Sequence, residues 1–158
     1  MAIDICDGMR YLESNNILHR DLACRNCLVG SNEVVKVCDF GMARFTEQNF
    51  YQAHPSKMFP VKWSAPEVLL YKSFSNKSDV WSFGCCMYEI FSFGKIPYGY
   101  YTSDHVAHKQ ITTGVVPERP NYSTSSLYDD VMLRCWKKDP RDRPSFAELK
   151  SMLKRYRY

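Results

Sequence analysis

No G-x-G-x-x-G run occurs in the chain, and its seven glycines are scattered. Nothing in it therefore reads as a loop that wraps the phosphates of a nucleotide. Long apolar runs are missing too: the most apolar stretch, Val80 to Phe93, carries Glu89 and is too short to cross a bilayer. The first residues include Asp4 and Asp7 where a secretory leader would carry basic residues and then an apolar block, so no signal peptide is expected. Neither sign of charge dominates, with 21 lysines and arginines against 17 acidic residues. A net charge of +4 suits an anionic ligand such as a nucleotide but gives no argument for nucleic acid. Seven cysteines is an odd number, and several lie in apolar runs, where a free thiol behaves as a small hydrophobe. That pattern suits a reducing compartment better than a disulfide framework. Cys24-x-x-Cys27 has no second pair at metal-binding spacing, which weakens a zinc or redox reading.

At 158 residues, 45% hydrophobic and 24% charged, the chain matches one globular domain with a sizeable core. Met1 to Glu13 reads as a helix, with Met1, Ile5, Met9 and Leu12 near one face, and its pattern runs from residue 1 without a preceding cap. Cys27 to Val29 and Val34 to Cys38 read as a hairpin turned by Gly30, Ser31 and Asn32. Gly41 to Pro66, punctuated by Pro55, Pro60 and Pro66, reads as a long loop. Ser75 to Ser92 is apolar almost all round, as befits a central helix, with Ser75 or Asn76 as its cap. Ser103 to Thr113, ended by Gly114, and Ser125 to Lys137 read as further helices. Ser145 and Glu148 form a capping box for the last one, whose buried face is Phe146, Leu149, Met152 and Leu153. The expected fold is mainly α, with one small hairpin.

Ile17 to Gly41 reads ILHRDLACRNCLVGSNEVVKVCDFG. Asp21 and Asn26 fall in the loop before the hairpin, and Asp39 falls just after its second strand. A hairpin returns its second strand beside its first, which brings Asp39 back towards Asn26. A carboxylate and an amide oxygen facing one space make a hard-oxygen site of the kind Mg²⁺ takes alongside phosphates. Asp21 then stands beside the metal.

His19-Arg20-Asp21-Leu22-Ala23-Cys24-Arg25-Asn26 resembles the catalytic loop of protein kinases, Asp39-Phe40-Gly41 their metal-binding motif, and Ala65-Pro66-Glu67 the end of their activation segment. The three occur in order at family-like spacing. The likeness continues through Asp79-Val80-Trp81-Ser82-Phe83-Gly84 and Cys135-Trp136 to Arg141-Asp142-Arg143-Pro144, and all of it matches the C-terminal lobe. Ala23, where Ser/Thr kinases carry lysine, and Arg25 resemble the tyrosine-specific group. So does Phe59-Pro60-Val61-Lys62-Trp63, whose Pro60, Val61, Lys62 and Trp63 resemble the substrate platform. Asp39 to Arg44 and Gly94 to Tyr98 look most like cytoplasmic kinases of the Tec type, with the Src and receptor groups as rivals.

The resemblance implies transfer of the γ-phosphate of ATP, with Mg²⁺ or in its place Mn²⁺, to tyrosine on protein substrates. It gives Asp21 the acceptor proton, Asn26 and Asp39 the metals, Arg25 charge compensation near the γ-phosphate, and Leu28 a place under the adenine. Tyr51 is the expected phosphorylation site, with Arg20 and Arg44 as phosphate partners. Glu67 and Arg143 resemble a buried structural ion pair, Asp79 a brace for the catalytic loop, and His19 and Phe40 parts of a stacked column. Val34-Val35-Lys36 and Pro60-Val61-Lys62 mimic the ATP-lysine motif, but both follow the catalytic loop, whereas that lysine precedes it.

The resemblance makes residues 1–158 a partial kinase domain, a C-lobe that begins inside the helix before the catalytic loop and lacks its N-lobe. A hinge, an upper lobe and upstream regulatory domains are the missing partners. The setting it implies is cytoplasmic signal transduction, with membrane recruitment through absent regions. Two readings compete: part of an active tyrosine kinase, or a non-catalytic lobe serving as an interaction module. The intact Asp21, Asn26 and Asp39 and the uncapped start favour the first.

Overall fold

The computed structural model describes residues 1–46, 50–52 and 59–156. In chain order these form α1 (Ala2–Ser14), β1 (Ile17–Leu18), β2 (Cys27–Val29), β3 (Val35–Val37), β4 (Arg44–Phe45), β5 (Phe50–Gln52), α2 (Pro66–Tyr71), β6 (Ser73–Ser75), α3 (Asn76–Phe91), α4 (Asp104–Thr112), α5 (Ser125–Leu127), α6 (Leu133–Cys135) and α7 (Phe146–Leu153). Helix dominates. The strands make three two-stranded antiparallel ladders: β1 with β4, β2 with β3, and β5 with β6.

Helix α3 is the axis of the core. Val80, Trp81, Phe83, Cys85, Cys86 and Met87 are all buried, as a helix apolar on every side requires. Ser75 caps it: its Oγ accepts from the Ser78 N–H, and the Ser78 hydroxyl accepts from the Ser75 N–H in return. Leu127, Val131, Met132 and Cys135 pack below, with Phe146, Leu149 and Leu153 of α7. Helix α1 lies on α7 through Ile5, Cys6, Met9 and Leu12. Met1, expected on that buried face, is exposed, and its ammonium pairs with Asp4 at 3.1 Å.

Gly84 lets α3 approach the α6 end closely. A Cβ built there would stand 2.6 Å from Trp136 Nε1 and 2.9 Å from Cys135 Cβ. Both neighbours are buried, so a methyl group would force packed side chains apart. Gly84→Ala is expected to cost about 1–3 kcal/mol, read as a lowered Tm. A melt indistinguishable from the parent would contradict the close contact.

Three expectations need correction. The stretch from Gly41 to Pro66 is not loop throughout: it holds β4, β5 and a 3₁₀ turn at Val61–Trp63. β4 pairs with Ile17–Leu18 and β5 with Ser73–Ser75. Strands of two or three residues whose partners are remote in sequence give no local period to read. The single expected hairpin is therefore one of three ladders. The helix expected at Ser125 to Lys137 contains a π turn at Tyr128–Met132, with the Leu133 N–H reaching the Tyr128 carbonyl. One inserted residue of this kind is invisible to a 3.6-residue pattern. Met152 is only partly buried on α7. Pro55 and Tyr158 lie outside the described residues. Among the described residues, no helix is long and apolar enough to cross a membrane.

Candidate active site

The loop after β1 is hung from α3. Asp79, fully buried, accepts the backbone N–H of His19 at 2.8 Å and of Arg20 at 2.9 Å. Burial pushes the Asp79 carboxyl above its ordinary range, while the two N–H donors and the positive charge of Arg20 pull it back in part. The carboxylate holds Arg20 at φ +70°, a left-handed conformation that costs a non-glycine residue energy unless its surroundings fix it. His19 Nδ1 accepts the Asp21 N–H at 3.2 Å, and its Nε2 donates to the Cys38 carbonyl at 3.0 Å. These bonds assign the ring proton to Nε2. The His19 ring also meets Phe40 edge-on, with centroids 5.4 Å apart.

The Asp21 side chain, 17% exposed, is locked from two sides. Asn26 Nδ2 donates to the Asp21 carbonyl at 2.7 Å and to its Oδ2 at 3.0 Å. Arg25 Nη2 pairs with Asp21 Oδ1, and the Arg25 guanidinium lies 4.8 Å from the Trp63 ring centre. With its amide N–H groups directed at Asp21, Asn26 keeps its side-chain oxygen free of donors among the described residues. The β2–β3 ladder runs into the same point: Cys27 faces Val37, and the Cys38 N–H reaches the Asn26 carbonyl at 2.9 Å. Asp39 follows at φ +60° with an exposed side chain. The Cys38–Asn26 bond returns the chain that leads to Asp39 onto Asn26, and an amide oxygen with a carboxylate is a donor set that fits a hard cation.

A second hub lies behind the loop. Glu89, a buried carboxylate of α3, accepts the Cys24 N–H at 2.9 Å and Trp63 Nε1–H at 3.0 Å. It ties the Asp21 loop to the 3₁₀ turn Val61–Trp63. The Ser82 hydroxyl holds the Trp63 carbonyl at 2.7 Å. Lys62 is buried, with Nζ on the Gly99 carbonyl at 2.8 Å, so its role in the structure is to pin this turn. Pro60 and Val61 are partly exposed beside it. At the base, Arg143 Nη1 and Nη2 reach Glu67 Oε1 and Oε2 at 2.6 and 2.8 Å.

Tyr51 is brought in by pairing with Phe74 across β5–β6. The Arg20 guanidinium sits 4.5 Å from the Tyr51 ring centre and 4.2 Å from that of Phe74; Arg44 lies 6.0 Å from Tyr51. Burial lowers Arg20 from its ordinary range. Its Nη1 donates to the Met42 carbonyl at 3.1 Å, while Nε and Nη2 are buried without a partner among the described residues.

Residues 1–153 match the family described as protein tyrosine and serine/threonine kinase. The chain belongs to the protein kinase family. It is 47% identical over 153 residues to Tyrosine-protein kinase Btk of Drosophila melanogaster, a match that covers 97% of the chain and 19% of that protein. It is 49% identical over 149 residues to Tyrosine-protein kinase Abl of the same organism, covering 94% and 9%. Human Tyrosine-protein kinase TXK is 48% identical over 146 residues, covering 92% and 27%. The kinase chain thus spans between a tenth and about a quarter of the length of these relatives.

Two residues of this kinase chain do structural work that the sequence reading passed over. Glu89 stood out there only as a charge inside an apolar run; that buried charge was the signal, since such a group needs partners. Phe74, which carries the Arg20 stack, gave no signal because its strand is three residues long. Leu28 is 61% exposed, with its side chain on the free face of the β2–β3 ladder.

Proposed function

We propose that the chain is the catalytic lower lobe of a protein tyrosine kinase, spanning residues 1–158. The observation that carries this is the Asp21 carboxylate held by Asn26 and Arg25, with the strand that leads to Asp39 returning onto Asn26. Asn26 and Asp39 would hold Mg²⁺, or Mn²⁺ in its place, and the bound Mg-ATP supplies the phosphoryl group and neutralises its charge. Asp21 orients the tyrosine hydroxyl and takes its proton as the bond to phosphorus forms. Arg25, already beside Asp21, offsets negative charge on the transferred group. Leu28 offers an apolar surface to the adenine. Pro60 and Val61, held by the buried Lys62 and the partly buried Trp63, present a ledge for the acceptor ring. The 46–49% identity to proteins named as tyrosine kinases supports tyrosine on protein substrates as the acceptor, within cytoplasmic signalling.

Tyr51 is the proposed phosphorylation site. A phosphate there adds about −1.5 to −2 charges next to Arg20, two of whose buried donors have no partner among the described residues, and near Arg44. Phosphorylated Tyr51 would fix β5 against the catalytic loop.

No glycine-rich loop and no lysine preceding the catalytic loop is present in the 158 residues, so an upper lobe is the proposed partner in holding the nucleotide. The chain alone is expected to give no phosphotyrosine from Mg-ATP and a tyrosine peptide. Fused behind the kinase segment of human TXK that precedes its matched region, it is expected to give phosphotyrosine. A folded, ATP-binding fusion that transfers nothing would overturn the catalytic reading and favour a binding module.

A further inference from the structure

Cys24 and Cys86 meet where the catalytic loop rests on α3. Their sulfurs are 3.4 Å apart, and Cys24 Sγ also lies 3.5 Å from the Cys86 carbonyl. The two residues are 62 positions apart in sequence, so this contact is made by the fold and not by chain proximity. Cys24 is partly exposed, while Cys86 is fully buried. Glu89 Oε2 holds the Cys24 backbone N–H, and its carboxylate lies within 4.8 Å of both sulfurs. The Cys24 backbone is therefore fixed and its thiol is presented to one partner.

We propose that Cys24 and Cys86 form a peroxide-reactive thiol pair that closes to a disulfide, stapling the catalytic loop to α3. The Cys24 thiolate attacks one oxygen of a hydroperoxide. The O–O bond breaks, the leaving hydroxide or alkoxide takes up a proton, and Cys24 becomes a sulfenic acid. Cys86 then attacks the Cys24 sulfur, the S–O bond breaks, and the hydroxyl leaves as water with the Cys86 proton. Two thiols and one hydroperoxide give one disulfide, one water and one water or alcohol; the sulfurs lose two electrons and the peroxide gains them.

Geometry favours this pairing over others. A disulfide needs its sulfurs at about 2.0 Å, which asks about 1.4 Å of approach from the observed 3.4 Å contact. Cys85 directs its thiol instead to the Lys62 carbonyl at 3.6 Å. Cys6 points to the Phe146 carbonyl at 3.3 Å. Cys27 is the competitor, since its thiol also neighbours Cys86, but it is turned towards the Ala23 carbonyl at 3.5 Å. Cys24 is the partly exposed member of the pair and Cys86 the fully buried one, so Cys24 meets the oxidant and Cys86 resolves it.

The test uses the reduced 158-residue chain, hydrogen peroxide, alkylation of remaining thiols, and peptide mapping after trypsin. Trypsin cuts at Arg25 and so separates Cys24 from Cys27. The expected product joins the peptide of Cys24 to that of Cys86, two hydrogens lighter than the reduced pair and restored by dithiothreitol. A Cys85→Ser chain should give the same product, which assigns the second sulfur. Cys86→Ser should lose the cross-link and leave a Cys24 sulfenic acid that dimedone traps. A dominant Cys24–Cys27 or Cys27–Cys86 product overturns the pairing, as does a Cys24 that stays alkylatable after peroxide in the folded wild-type chain. No kinase activity enters this readout, so it can fail without the proposed function failing, and the reverse.

Discussion

Arg143→Ala is expected to destabilise the chain strongly, removing about 3–5 kcal/mol of its folding free energy. The Arg143 side chain is completely buried, and every guanidinium N–H has an acceptor: Nε on the Lys137 carbonyl at 2.8 Å, Nη1 on Glu67 and the Lys77 carbonyl, Nη2 on Glu67 and the Lys138 carbonyl. The group also lies 5.1 Å from the Trp81 ring centre. Alanine would strand Glu67, only 14% exposed, as an unpaired charge, together with three backbone carbonyls. Breaking one partner of a buried pair costs about 3–5 kcal/mol, against a total stability of about 5–15 kcal/mol for a domain. A double change, Arg143→Met with Glu67→Leu, should cost less than the single one, because no charge is then left buried alone. Chemical denaturation of the three chains reads this directly. A single variant as stable as the parent would remove the pair from the account of the fold.

The second large effect is on chemistry. In the fusion carrying an upper lobe, Asp21→Asn is expected to lower kcat roughly 10²–10⁴-fold, about 3–5 kcal/mol of lost transition-state stabilisation. The change keeps the shape of the side chain. The Asn26 bond to the residue 21 carbonyl does not depend on the carboxylate, so the loop keeps its anchor. KM for Mg-ATP should hold, since Asn26, Asp39 and Leu28 are untouched. A parallel rise in KM with kcat unchanged would make Asp21 a binding residue and remove its role in proton transfer.

The legibility of this chain followed the range of the chemistry. Asp21 and Asn26 lie five positions apart and read as a unit, because one short loop must present both. The β2–β3 hairpin was readable from its apolar runs and its Gly30 turn, and with it the return of Asp39 towards Asn26. Capping at Ser75 and Ser145 was readable because it is settled within four residues. Glu67 and Arg143, 76 positions apart, were linked only through the family resemblance; no periodicity joins them. The β1–β4 and β5–β6 ladders were unreadable for the same reason, and the stack of Arg20 on Tyr51 and Phe74 depends on the second of them. The Cys24–Cys86 contact is another product of the tertiary fold. In sequence, Cys24 invited pairing with Cys27, three residues away, whereas the folded chain sets its sulfur against α3.

The acceptor choice is the most direct test of the account. The fusion would be given γ-labelled ATP, Mg²⁺ and a peptide offering serine, threonine and tyrosine, followed by acid hydrolysis and separation of the phosphoamino acids. Label on tyrosine alone, abolished by Asp21→Asn, is the predicted result. Label on serine or threonine, or phosphotyrosine that persists undiminished in the Asp21→Asn chain, would contradict it.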